Sequence, residues 1–140
     1  GYYKEDERTC EAMKDGWFHS GDLGYIDEAG EIRVLERITE IINFGGEKIN
    51  PSEVERILEE NPKVERACLI GMPDEVLGEI PRSVIQLRKG KEATEDEIIE
   101  WCRGKMAGYK RPKSVLFVKE LPLTPIGKVM RKAVIEKYGR

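Results

Sequence analysis

A glycine and a lysine in the run Leu121-Pro-Leu-Thr-Pro-Ile-Gly-Lys-Val-Met-Arg131 carry the clearest chemistry in this chain. The pair follows Thr124 and Pro125 and precedes apolar residues at helical spacing, Met130, Ala133, Val134 and Tyr138. That pattern predicts a tight turn at a helix start, with the Lys128 ammonium beside outward-pointing backbone N–H groups. Such a device suits a phosphate or a carboxylate. It is not a Walker A loop, because Pro122 stands in place of the first glycine and Val129 where a Ser or Thr would hold magnesium. A Gly-Lys pair by itself is most often a solvated surface lysine, so its meaning depends on what accompanies it.

A second block accompanies it far upstream: Gly16-Trp-Phe-His-Ser-Gly-Asp-Leu-Gly24, then Arg37, then Gly45-Gly-Glu-Lys-Ile-Asn-Pro51. In this order, with Lys128 last, the segments resemble the adenylate-forming superfamily of acyl-CoA synthetases, luciferases and peptide-synthetase adenylation domains. The resemblance runs from Gly1 to the end of the chain. The opening Gly-Tyr-Tyr with its Glu-Arg-Thr helix resembles the family's last large-domain motif. Met106-Ala-Gly-Tyr-Lys-Arg-Pro112 and residues 117–121 resemble fatty-acyl-CoA ligases most.

The resemblance implies roles residue by residue. Asp22 matches the aspartate that accepts hydrogen bonds from both ribose hydroxyls of ATP, a task suited to a carboxylate. Arg37 matches the arginine that reaches the same ribose or the adenylate phosphate, although Glu36 replaces the usual preceding glycine. Thr39 falls at the hinge, where the family usually has Asp or Lys; its β-branch stiffens the side chain. Gly45, Gly46 and Glu47 match the loop that closes on the thiol in the second half-reaction. Lys128 matches the lysine of the first. Asn43 replaces a second lysine carried by luciferases and some aryl-CoA ligases.

Plainer readings stand beside these. Asp22 could cap a turn, Arg37 could form a cross-strand ion pair with a neighbouring carboxylate, and the two glycines could make an ordinary hairpin turn. His19 is the single histidine, and a local hydrogen bond suits its ring better than general-base work. Trp17 and Phe18 read as core. Lys110 and Arg111 could meet a phosphate but read better as solvated loop charges.

Composition narrows the classes. The 140 residues suffice for one domain, or one domain with an attached piece. Hydrophobic residues at 39% allow a modest core beneath a surface rich in charge, at 36%. A net charge of −3 with both signs interspersed offers no basic face for nucleic acid or an anionic membrane. Cys10, Cys68 and Cys102 are odd in number and lack Cys-x-x-Cys spacing, which points to reduced thiols in the cytoplasm. No transmembrane run and no signal peptide are read. The start without an initiator Met suggests a piece of a longer protein.

Local patterns predict the elements that must position these residues. A short helix spans 6–14, and strands 23–26 and 32–35 flank a turn with Gly30. An extended stretch, 38–43, leads into the Gly45-Gly46 turn. Asn50 caps a helix with Pro51 first and Glu53 completing a capping box, and Val54, Ile57 and Leu58 form its buried stripe. Strands follow at 64–72 and 83–87. Thr94 and Glu97 cap a helix bearing Ile98, Trp101, Cys102 and Met106, with Gly108 as its stop. A strand at 115–118, the lysine turn and a last helix complete the chain.

Irregular interleaving of strands and helices predicts an α+β fold, a small mixed β-sheet packed with helices in two layers, preceded by a β-hairpin segment. The resemblance assigns residues 1–38 to the tail of a large N-terminal domain and 39–140 to a mobile C-terminal domain. It implies an acid–thiol ligase that uses ATP and CoA, with Mg2+ held by ligands outside this chain, and a carboxylic acid, most like a fatty acid, as substrate. The chain alone is expected to be inactive, its chief partner being the large domain. An adenylation domain that loads a carrier protein, or an interaction module without chemistry, are the alternatives.

Overall fold

The structure, a computed structural model, describes residues 1–139. The chain divides into two compact units, Gly1–Thr39 and Glu40 onward.

The first unit begins with helix α1 (Asp6–Ala12) and a small ribbon of β1 (Met13–Lys14) against β2 (Trp17–Phe18). A longer antiparallel hairpin follows, β3 (Asp22–Ile26) against β4 (Ile32–Arg37). Its turn is built locally: one Asp27 carboxylate oxygen accepts the Ala29 and Glu31 N–H groups, and Gly30 takes a φ of +81°. The Glu31 N–H and the guanidinium of Arg33 hold the Asp27 carboxyl below its ordinary pKa. No residue of this unit is buried. Trp17 and Phe18, expected in a core, are 76% and 58% exposed. Two ribbons and one short helix cannot enclose a large side chain within so few residues. His19 is exposed too, and among the described residues its ring has no hydrogen-bond partner, contrary to the local bond expected.

Residues Ile38–Glu40 form one turn of 3-10 helix, not the continuous extended stretch expected there. The second unit then contains β5 (Ile42–Phe44), β6 (Glu47–Ile49), α2 (Pro51–Glu59), β7 (Val64–Asp74), β8 (Gly78–Leu87), α3 (Glu95–Trp101), β9 (Ser114–Val118) and α4 (Arg131–Tyr138). The sheet runs β6-β5-β8-β7, with β9 also on β8. Only β9 is parallel to its neighbour, so the sheet is mixed and the fold α+β, as the pattern predicted.

Alternation along β7 sends Ala67 and Leu69 to one face and Cys68 and Ile70 to the other. The first face is covered by Val54 and Leu58 of α2 and by Ile98 of α3, with Cys102. The other carries Val134 of α4 and Leu121. Helices therefore lie on both faces, the short α4 adding to the layer expected.

Caps follow the local chemistry with two exceptions. Asn50 accepts the Ser52 N–H at the start of α2, and Thr94 with Glu97 forms the complete box on α3. Glu53 forms no box; its carboxylate takes the ammonium of half-buried Lys110 at 2.7 Å, so Lys110 is not a solvated loop charge. Helix α3 ends at Trp101, well before Gly108, with Cys102 as its C-cap; Met106 packs on the core from the loop beyond.

Candidate active site

Lys128 lies on a hairpin turn, not at a helix start. Thr124 O accepts the Gly127 N–H at 2.9 Å, with Pro125 second in that turn and Gly127 at a φ of +81°. These are the places where proline and a positive φ suit a turn of this kind. Leu123 and Val129 bridge the two arms, the Thr124 N–H donates to Lys128 O at 2.7 Å, and the Lys128 N–H donates to Thr124 Oγ1 at 3.1 Å. Helix α4 opens only at Arg131 after a cap residue, Met130, that offers no side-chain bond. The lysine's own N–H is already used, so the expected cradle of free helix N–H groups is absent around it.

The turn is anchored from outside as well. Arg66 Nη1 on β7 donates to Gly127 O at 3.1 Å. The Lys128 side chain is exposed, and among the described residues it has no ion-pair partner. It borders a cleft of about 410 Å³ lined by Ser52, Glu55, Arg66 and Arg131, among others. A fixed backbone carrying a free ammonium beside a cleft can receive an anionic oxygen without first breaking a salt bridge.

Three residues on, Arg131 differs in every respect. Its side chain is 14% exposed and meets Glu55 through both terminal nitrogens, Glu40 through Nε at 2.8 Å, and Leu69 O at 2.8 Å. Glu55 Oε1 also accepts the Leu69 N–H at 2.6 Å. Burial by itself lowers the pKa of this guanidinium, but the hydrogen bonds and charge of Glu55 outweigh it and the net shift is upward. Arg131 and Glu40 were not among the residues singled out from the sequence. Their partners lie 62 to 91 positions apart along the chain, and no local pattern announces such pairs.

In the first unit the structure brings Asp22 and Arg37 together. They are directly opposite on β3 and β4, with Asp22 Oδ1 3.0 Å from Arg37 Nε. Arg37 Nη1 also donates to Ser20 O at 2.7 Å, and the Asp22 N–H donates to Ser20 Oγ. The ion pair envisaged as the plainer reading of Arg37 is therefore present. It leaves Asp22 with a second carboxylate oxygen, and its side chain is 29% exposed.

Gly45 and Gly46 form the two-residue link between β5 and β6, closed by the Phe44–Glu47 pair. Their φ values are +59° and +89°, the double left-handed turn that matches the twist of a hairpin. The Gly45 N–H donates to Leu77 O at 2.8 Å, whereas a side-chain carbon placed on Gly46 would meet nothing within 4 Å. Glu47 and Lys48 are exposed beside it. Thr39, at the unit boundary, is exposed and lies in the 3-10 turn. Among the described residues no cluster of His, Cys, Asp and Glu could hold a metal ion, and no helix is long and apolar enough to cross a membrane.

Comparison with known proteins gives this geometry a setting. The sequence pattern of the AMP-binding enzyme C-terminal domain matches residues 53–128. A feruloyl-CoA synthase of Amycolatopsis sp is 42% identical over 139 residues, 99% of this chain and 28% of the relative. A 2-succinylbenzoate–CoA ligase of Bacillus mycoides is 42% identical over 132 residues, 94% of this chain and 27% of the relative. Among solved structures, ATP-bound MatB from Rhodopseudomonas palustris superposes with a TM-score of 0.91 at 34% identity, over 99% of this chain and 28% of that one. A Mycobacterium tuberculosis fatty acyl CoA synthetase gives 0.74 at 36% identity, over 99% of this chain and 27% of that one. The chain thus spans a little over a quarter of the proteins it matches.

Proposed function

Because this chain belongs to the family of AMP-binding enzyme C-terminal domains, we propose that it works as the small-domain end of an AMP-forming acyl-CoA ligase. A longer polypeptide, including a large domain, would carry the acid pocket and most of the ATP site. Residues 1–38 would belong to that large domain and 39–140 to a mobile one, with Thr39 as the hinge. A division of the chain between Thr39 and Glu40 supports this.

The chemistry has two steps. A carboxylate oxygen attacks the α-phosphorus of ATP, forming the acyl–phosphate bond and breaking the bond to pyrophosphate. A thiol then attacks the acyl carbon, forming the C–S bond and breaking the acyl C–O bond; AMP departs with that electron pair and the thiol proton passes to solvent. Negative oxygens crowd together in the first step, and a placed cation lowers its barrier. Lys128 supplies it. The observation that carries this reading is the exposed ammonium, without an ion-pair partner among the described residues, on a turn fixed by backbone bonds and Arg66. Asp22 would take the ribose hydroxyls and Arg37 the ribose or phosphate. Mg2+ would accompany ATP, held by groups outside this chain.

The second step needs Lys128 withdrawn and the Gly45–Gly46 turn brought to the thiol. Rotation about Thr39 does both, since a few residues at an element boundary can absorb a large backbone change. CoA is the acceptor we propose, supported by relatives that are CoA ligases. A fatty acid is the acid we propose, supported by the 36% identity to a fatty acyl CoA synthetase. The feruloyl and succinylbenzoate relatives make aromatic acids the competing class.

The test is acid-dependent pyrophosphate release and thioester formation by the complete enzyme, with fatty, aromatic and dicarboxylic acids and with CoA or a carrier protein as acceptor. Fatty acids with CoA should give the highest kcat/KM. Pyrophosphate release without CoA thioester would overturn the acceptor, and a preference for aromatic acids would overturn the substrate.

A further inference from the structure

The Gly45–Gly46 turn is held on one side and open on the other. Strand β5 pairs with β8 at a single position, Phe44 with Gly78. Beyond that position the strands supply no further backbone pair, and a side chain takes over: Glu79 Oε2 accepts the Asn43 N–H at 2.8 Å. Two neighbouring contacts complete the clamp. The Gly45 N–H donates to Leu77 O at 2.8 Å, and Gly78, at a φ of +79°, lets Asn43 O approach to 3.1 Å of where a Cβ would stand. Gly71 on β7 makes the room, because a side-chain carbon there would collide with the Glu79 carboxylate.

We propose that Glu79 is a positioning residue for thioester formation: its carboxylate, admitted by Gly71, sets where residues 43–45 hold the Gly45–Gly46 turn. The inference rests on the reading above, in which that turn meets the thiol. A bond from a backbone N–H to a carboxylate is charge-assisted and stronger than a neutral one. It fixes the strand two residues before the turn, where a small rotation is magnified at the tip. Misplacement of about 1 Å can cost about 10²-fold in a reacting geometry. Lys128 stands on a separate turn anchored by Arg66, so the adenylating step does not depend on this clamp.

The experiment compares Glu79→Leu, Glu79→Gln and the native residue in the complete enzyme, by single-turnover measurement of both steps. Glu79→Leu removes the acceptor; Glu79→Gln keeps an amide oxygen at similar reach. The expected result for Glu79→Leu is thioester formation slowed about tenfold or more, with adenylate formation within about twofold. Glu79→Gln should recover most of the loss. Gly71→Ala, which displaces the carboxylate without altering it, should reproduce the selective defect and serves if Glu79→Leu does not fold. Equal loss in both steps, no loss in either, or a Gln variant as slow as Leu would overturn the role. If the native enzyme itself formed no thioester, the functional reading would fall first and this inference with it. Native activity in both steps with an unselective variant sinks this inference alone.

Discussion

Asp22 and Arg37 form an in-register cross-strand ion pair, 3.0 Å between Oδ1 and Nε, on a hairpin that buries no side chain. Side-chain exposures of 57% for Arg37 and 29% for Asp22 put the pair in a well-solvated setting, where an ion pair contributes about 0–1 kcal/mol. Stability alone therefore gives little reason for these two residues to stand opposite each other. Under the proposed function, their task is to present the carboxylate to a ligand.

The first prediction follows from that comparison. In the complete enzyme, Asp22→Ala should move the unfolding free energy by no more than about 1 kcal/mol. ATP binding should weaken by about 10-fold to 100-fold, as expected when hydrogen bonds to a charged group are lost. Calorimetric titration with ATP beside a denaturant melt separates the two. A variant that loses stability but binds ATP normally would make the ion pair structural.

Lys128→Ala should separate the two half-reactions. Adenylate formation should fall by about 10²-fold or more, the usual effect of removing one placed charge-stabilising donor. Thioester formation from pre-made acyl-adenylate should survive, and so should stability, because the side chain is exposed and, among the described residues, without an ion-pair partner. Single-turnover kinetics of both steps on the same variant decide it. Intact adenylation, or equal collapse of both steps, would remove the lysine from the role.

Arg131→Met should do the opposite to stability. It leaves Glu55 and Glu40, 16% and 33% exposed, facing each other without their shared cation. Breaking one side of a fully buried ion pair costs about 3–5 kcal/mol, and this partly buried one should cost about 2 kcal/mol or more. Denaturant unfolding should show that loss, while replacing Lys128 shows almost none. A melt of Arg131→Met close to the native one would mean that Glu55 and Glu40 find other partners.

These contrasts mark what the sequence made legible. The 22–37 hairpin could be read because its turn is local: Asp27 and Gly30 close it without help from elsewhere. The caps at Asn50 and Thr94 were legible for the same reason. The Gly45–Gly46 turn and the ion pair of Arg37 were readable as possibilities from residue type. What escaped depends on distant partners. Glu53 prefers Lys110, 57 positions away, to its own helix N-terminus. The network of Arg131 and the bond of Glu79 to Asn43 join segments that only the folded sheet brings close. Trp17 and Phe18 misled because an apolar side chain indicates a need for cover without saying where that cover lies. The roles proposed for Asp22 and Lys128 rest on a resemblance across ordered motifs, since neither residue type nor spacing distinguishes a ligand from a surface charge.

The cysteines give a pH prediction. Burial raises the Cys68 thiol from an ordinary 9.0 to about 12, and Glu55 adds to it; burial likewise raises Cys102 to about 11. The folded state therefore keeps these protons longer than the unfolded chain. Their stabilising contribution is complete below pH 9 and is lost progressively as pH rises towards 11 to 12, because the unfolded thiols ionise first. Urea midpoints between about pH 8 and 11 should fall less steeply in a Cys68→Ala, Cys102→Ala double variant than in the native protein. Identical slopes would contradict the shift. A thiol reagent at neutral pH should label Cys10, which is exposed, well before the two buried thiols.

Gly46 presents two effects that one substitution cannot separate. At a φ of +89° any side chain strains the backbone, although the space around it is open. That strain costs about 1–2 kcal/mol, and Gly46→Ala and Gly46→Leu should both show it as a similar loss in unfolding free energy. The two differ only in how far the side chain reaches from the turn. If the turn faces the incoming thiol, Leu should slow thioester formation about tenfold or more beyond Ala, for want of an aligned approach. Adenylate formation should match between the two variants, since Lys128 stands on another turn. Comparing the variants with each other, and not with the native enzyme, cancels the backbone strain. Equal thioester rates for Ala and Leu would mean that nothing passes close to this turn during the reaction. A Leu variant slowed equally in both steps would mean that the damage lies in folding.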